Sequence, residues 1–161
     1  MKAVKKWAPV AAAVLGLVAV FMIFVASIVI RTAPDHYYTG LQVVFGYKEN
    51  SFTEFTFSFF NLLPYLLTLG GIVLVVLNFL GKGKDFFVWI AVALFVVAAI
   101  LFFMTIACCW MTMFDGATAA EIDEFKNETM LLGAGPIISG ICTILAAIAT
   151  ATPFALDKLV K

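Results

Sequence analysis

Charge is scarce in this chain. Of 161 residues, ten are Lys or Arg and ten are Asp or Glu, 12% in all, and none lies between Phe86 and Phe114. Soluble domains carry about 25% charged residues, so the 64% of hydrophobic residues here cannot be hidden in a single water-soluble core. Histidine occurs once, at position 36, and cysteine three times, at 108, 109 and 142. With no Cys-x-x-Cys and no second histidine, there is no zinc or thiol-redox pattern. A phosphate loop, a nucleophile elbow and an HExxH helix are missing too, as is the basic stripe of a nucleic-acid binder. The sequence therefore offers no catalytic, cofactor-binding or metal-binding residue, and the expectation is a protein that is not an enzyme and takes no cofactor.

Long apolar runs are what the chain does contain. A bilayer's hydrocarbon core is roughly 30 Å thick and needs about 20 apolar helical residues to cross it. Four runs qualify, at about 7–30, 61–80, 86–110 and 130–154. The expected fold class is an all-α membrane protein: a single integral domain forming a four-transmembrane-helix bundle, with a small extracytoplasmic β-hairpin and a short amphipathic surface helix in its outer loops, 31–60 and 111–129. The first run follows Lys2, Lys5 and Lys6 and resembles a signal peptide, but it exceeds a signal's apolar segment in length and lacks a small-x-small cleavage site, so a retained span is expected.

Within the first outer loop the period changes from helical to two. Leu41 to Tyr47 is rich in β-branched and aromatic residues, Lys48-Glu49-Asn50-Ser51 is turn-like, and Phe55, Phe57 and Phe59 alternate with Thr56 and Ser58, which predicts a β-hairpin. The alternative is that Phe52 to Phe60 begins the next helix. Asn61 is the expected N-cap of the second span, with Pro64 in its first turn. The link at 81–85 is so short that the second and third spans must be antiparallel neighbours. In the second outer loop, Thr118-Ala119-Ala120-Glu121 matches a capping box, and Ile122 with Phe125 gives one apolar stripe, predicting a short surface helix with an acidic outer face.

The fourth run carries Gly135, Ser139, Thr143, Ala147 and Ala151 at intervals of four residues. Small residues on one stripe let helix backbones approach closely, the main route to association where lipid and protein are equally apolar. This face is expected to point into the bundle.

Orientation follows from the basic residues. Lys2, Lys5, Lys6, Lys82, Lys84, Lys158 and Lys161 all fall on one side if both termini and the 81–85 link face the cytoplasm, and basic residues in short loops set topology. A plasma-membrane protein with both termini cytoplasmic is expected. Layout alone is similar to claudin-type tetraspan proteins: four spans, both ends inside, a strand-bearing first outer loop and a shorter second one. The first outer loop has no Trp and no Cys, so that family's signature is missing, and Cys108-Cys109-Trp110 is not the tetraspanin Cys-Cys-Gly. The resemblance carries no residue role.

No charged residue lies within a run, which argues against a pump or proton-coupled transporter, whose pathways use such groups. The function expected is that of a non-enzymatic scaffold or accessory subunit whose outer cap contacts a protein partner or a second copy. Phe45, Tyr47, Phe52 and Phe55 are the anchors expected, since exposed aromatics are common in interfaces. The alternatives are a small oligomeric channel or facilitator and, further behind, a membrane enzyme. Besides the lipid bilayer, the partner is a protein or another copy; nucleic acid is not one.

Overall fold

Four long helices and a folded cap at one end make up the molecule. The computed structural model describes residues 2–49, 52–83, 85–112 and 117–159. Helices α1 (Lys2–Phe21), α3 (Phe59–Phe79), α4 (Asp85–Phe103) and α7 (Ala134–Leu159) carry four segments of 19, 21, 18 and 23 residues that are long and apolar enough to cross a membrane, the first of which, Lys6–Phe24, runs on beyond the end of α1. The chain is a multi-pass membrane protein on this composition. Helix α3 packs on α1 and α4, and α7 packs on α1 and α4, so the four form a ring in the order α1, α3, α4, α7. As the short link demands, α3 and α4 are neighbours. Gly81, at φ 72°, ends α3 with its N–H on the carbonyl of Asn78, a left-handed C-terminal turn that glycine adopts without a Cβ penalty.

The bundle's core draws on all four helices: Ala12, Ile72, Val75, Ala91, Phe95, Ala146 and Ala147. Phe95 fills its centre, fully buried, against the bare backbones of Gly16 and Gly71. One copy is thus packed through its middle.

Beyond the bundle lie the 3-10 turn Met22–Phe24, β1 (Ala26–Ile30), β2 (Ala33–Thr39), α2 (Gly40–Phe45), β3 (Tyr47–Glu49), β4 (Phe52–Phe55), the single turn α5 (Thr105–Cys108), α6 (Ala119–Thr129) and β5 (Met130–Leu132). Strands β2, β1 and β5 form an antiparallel sheet with β1 in the centre, and β3 pairs with β4 as a separate hairpin. These assignments correct several expectations. The fold is not all-α, because the cap holds a three-stranded sheet besides the hairpin. The first span stops near Phe24, and Ile28-Val29-Ile30 form the central strand. The fourth span begins at Ala134, not 130, because Met130–Leu132 pair with Ile28–Ile30. Both errors have one cause: a strand buried in a cap is as apolar as a helix end, and hydropathy does not separate them. The third span ends at Phe103 and the chain continues as α5, short of residue 110.

The hairpin sits at the expected place but is shorter. Tyr47 pairs with Phe55, Lys48 with Thr53 and Glu49 with Phe52; Asn50 and Ser51 lie outside the described residues. Leu41 to Phe45, expected as strand, is helix α2. Thr39 accepts from the N–H of Gln42 while the Gln42 side chain accepts from the N–H of Thr39, a capping box that satisfies the first turn from both sides. Gly46, at φ 94°, ends that helix. The second span is capped by Ser58, whose Oγ accepts from the N–H of Asn61 at 3.3 Å, so Asn61 lies in the first turn and is not the cap. Helix α6 forms where expected: the N–H and hydroxyl of Thr118 donate to one oxygen of Glu121 at 2.7 and 2.9 Å.

Candidate functional site: the cap

The cap has its own core. Ile28, Tyr38, Val43, Phe55, Cys109 and Met130 pack together, joined by Tyr47, Ile106, Met111 and Phe125 at its margin. The rings of Tyr38 and Phe55 meet edge-on at 4.6 Å between centroids, with Tyr47 at 6.0 Å from Tyr38, an arrangement that aromatic quadrupoles favour. On the outer side His36 Nε2 lies 3.0 Å from the Tyr38 hydroxyl. A second cluster, Val44, Tyr65, Ala98 and Phe102, joins α2 to the bundle.

Backbone hydrogen bonds lock the cap's segments to one another. Ser58 N donates to Val44 O at 2.9 Å, Thr56 N to Trp110 O at 2.9 Å, Arg31 N to Thr129 O at 2.8 Å and Gly133 N to Ser27 O at 2.8 Å. The Ser58 hydroxyl donates to Cys108 O at 2.7 Å. Glycine is required at 133, because a Cβ there would collide with the Ala26 carbonyl.

The four aromatic residues expected as contacts do not share one surface. Phe55 is 1% exposed in the cap core and Tyr47 is half-buried beside it. Phe45 is 58% exposed, its ring 6.4 Å from that of Phe57. Phe52 pairs in β4 through its backbone; its side chain lies outside the described residues. Of the small-residue stripe on α7, Gly135, Ser139, Thr143 and Ala147 are buried and Ala151 is half-buried. A Cβ on Gly135 would stand about 3.0 Å from Met22 O. Ser139 Oγ donates to Ala19 O on α1 at 2.8 Å, and Thr143 Oγ1 donates to the carbonyls of Ser139 and Gly140.

The sequence reading passed over Tyr37. It is 54% exposed on β2, where Ala33 to Tyr37 all face outward. Its signal was faint: a Pro-Asp-His-Tyr run that resembles an ordinary loop. Helix α6 turns Ile122, Phe125 and Lys126 toward the cap and leaves Glu121, Asp123, Glu124 and Glu128 exposed.

Reactive groups are subdued. Cys108, Cys109 and Cys142 are free thiols. Burial pushes the Cys109 thiol up to about 11, with Lys126 nearby pulling the other way. Its Sγ donates to Ile106 O at 3.0 Å. Glu121 is held below the usual carboxylate range by the backbone N–H of Thr118 and then by its hydroxyl. Among the described residues no three His, Cys, Asp or Glu side chains gather closely enough to hold a metal ion. The buried amide of Asn61 has no hydrogen-bond partner at either polar atom.

The chain matches no family model, no curated protein and no solved structure.

Proposed function

We propose that this protein is a non-enzymatic scaffold or accessory subunit of the plasma membrane, with both termini cytoplasmic, working through protein contacts of its outer cap. One observation carries the reading: the cap is a built unit with its own aromatic core, two capping-boxed helices and cross-chain backbone bonds, far more structure than joining helices requires. Rigid, surface-placed elements of this kind are where recognition is usually housed. The bundle beneath is filled by Phe95 and its apolar neighbours, which suits support more than conduction. Orientation rests on the clustering of lysines at the end away from the cap.

With Phe55 in the core, the contact surface is centred on Tyr37 and its outward neighbours on β2, with the acidic face of α6 a further exposed part of the cap. Tyrosine is favoured at such centres because its ring carries contact area and a polar tip. The test is crosslinking in native membranes followed by purification in mild detergent. A defined protein partner or homo-oligomer should be recovered, and should be lost on Tyr37→Ala with the fold intact. A lone monomer in native membranes, together with a solute leak from reconstituted vesicles that Tyr37→Ala leaves unchanged, would refute the reading and favour an oligomeric facilitator.

A further inference from the structure

The cap exposes several large aromatic rings. On its α3–α4 side stand Phe45, Phe57 and Trp110, at 58%, 51% and 61% exposure, drawn from three separate segments. Those segments are fixed to one another: Thr56 N donates to Trp110 O, Ser58 N to Val44 O and Ser58 Oγ to Cys108 O. The three rings therefore stand on a rigid base. The cap's other exposed side chains are mixed: Arg31, Thr32, Asp35 and the carboxylates of α6 are polar, whereas Phe24, Leu41 and Leu131 are apolar.

Below these rings α3 and α4 also expose apolar side chains. Phe59 and Phe60 open α3 and Met104 follows α4, and all three are exposed, as are Leu66, Val73, Val97 and Ile100 further along those helices; Phe103, also exposed, has its ring against Gly140 of α7. The 21 residues of α3 rise about 31 Å at 1.5 Å each, close to the roughly 30 Å of a hydrocarbon core. Seated by its length, α3 puts Phe59 and Phe60 at the boundary of that core. Phe57, Phe45 and Trp110 then fall in the adjoining interfacial layer, about 5–8 Å deep on each side of the membrane. Aromatic side chains concentrate at that depth, and Phe and Trp line the buried face of surface-bound elements.

We propose that the α3–α4 side of the cap is a lipid-binding wedge, with Phe45, Phe57 and Trp110 inserted among the headgroups and upper acyl chains of the cap-side leaflet. The occupant is phospholipid, because the patch is the upward continuation of the surface that lipid covers on α3 and α4. The wedge seats the cap at a fixed depth and leaves Tyr37 and α6 facing water.

Trp110 can report this directly. In the full chain carrying Trp7→Phe and Trp89→Phe, reconstituted in phosphatidylcholine vesicles, Trp110 should emit at blue-shifted wavelengths. Lipids brominated near the glycerol end of the chain should quench it more than lipids brominated at mid-chain, and aqueous iodide should quench it little. Adding Trp110→Phe and Phe45→Trp should give the same pattern, while Tyr37→Trp in that background should be quenched by iodide alone. In the chain with all three tryptophans retained, a benzophenone amino acid at position 57 should photocrosslink to phospholipid. Quenching of both Trp110 and the Phe45→Trp probe by iodide and not by brominated lipid would place the patch in water and overturn the proposal. Shielding from both quenchers, with crosslinking at 57 to protein alone, would mean that a polypeptide covers it and would overturn the proposal equally.

Discussion

Replacing Gly71 by alanine should loosen the bundle, whereas the same change at Gly70 should not. A Cβ on Gly71 would stand 2.8 Å from Cε1, 2.9 Å from Cζ and 3.1 Å from Cδ1 of Phe95, while a Cβ on Gly70 would meet only Leu94 Cδ1 at 3.4 Å, an ordinary contact. The Phe95 ring has no free side to move toward. It is fully buried among Ala12, Ile72, Ala91 and Ala146, and Gly16 also lies near Cε1, where a Cβ would stand 3.5 Å away. Overpacking of a tight core costs about 1–3 kcal/mol, and the better helix propensity of alanine returns at most about 1 kcal/mol. Gly71→Ala should therefore show a net loss of up to about 2 kcal/mol, or several degrees in Tm at roughly 2–4 °C per kcal/mol for this chain length. Gly70→Ala should be neutral or slightly stabilising. Thermal unfolding in mild detergent, followed by loss of the monodisperse elution peak, reads both. The double variant sharpens the test. Phe95→Leu alone leaves a void and destabilises, but in the Gly71→Ala background the void accommodates the new methyl, so the two costs should fall short of their sum. If Gly71→Ala melts with the wild type, or if the double variant is simply additive, the ring is not confined as described.

Other consequences are as direct. Ser139→Ala removes the hydrogen bond to Ala19 O and should cost about 1 kcal/mol; Ser139→Leu should disrupt assembly, and Ile138→Leu, on an exposed position, should be silent in the same melt. Thr118→Ala should cost about 1 kcal/mol of local stability in α6, visible as faster amide exchange there and nowhere else. The depressed pKa of Glu121 means that its contribution is present above its ordinary value of 4.5 and is lost as pH falls through the lower folded value; α6 should fray first on acidification, and an acid response unchanged by Thr118→Ala would refute this. With its thiol raised to about 11 and buried, Cys109 should resist maleimide at neutral pH until the protein is denatured. In intact cells an impermeant thiol reagent should label Lys48→Cys and Glu124→Cys but not Lys82→Cys; labelling of Lys82→Cys alone would reverse the orientation.

Much of the cap was legible and was partly misread. The capping box of α6 shows plainly as Thr118-x-x-Glu121. An equivalent signal, Thr39-Gly40-Leu41-Gln42, marks the start of α2, yet the β-branched run after it points to strand, and here the local cap wins. The aromatic residues 45 to 60 look alike in sequence. Tertiary placement sends Phe55 inward against Tyr38, leaves Phe45 and Phe57 exposed beside each other, and puts Phe59 into the first turn of α3. Tyr37, the residue on which the proposed contact turns, has no distinguishing neighbour in the sequence.

The number of crossing helices, the small-residue stripe of α7, the position of the hairpin and the helix at 119–129 were determined by the sequence itself. Each depends on local composition or on spacing within one element, and lipid leaves few ways to bury such runs. Where the first span ends and the fourth begins was decided only in three dimensions, because Met130–Leu132 form a strand by pairing with Ile28–Ile30, about a hundred residues away in the chain, which pair in turn with β2. The same holds for Phe95, which is one phenylalanine among seventeen until the backbones of Gly16 and Gly71 close on its ring. An apolar residue announces that it leaves water; whether it meets lipid, a strand or a glycine depends on neighbours the local sequence does not contain.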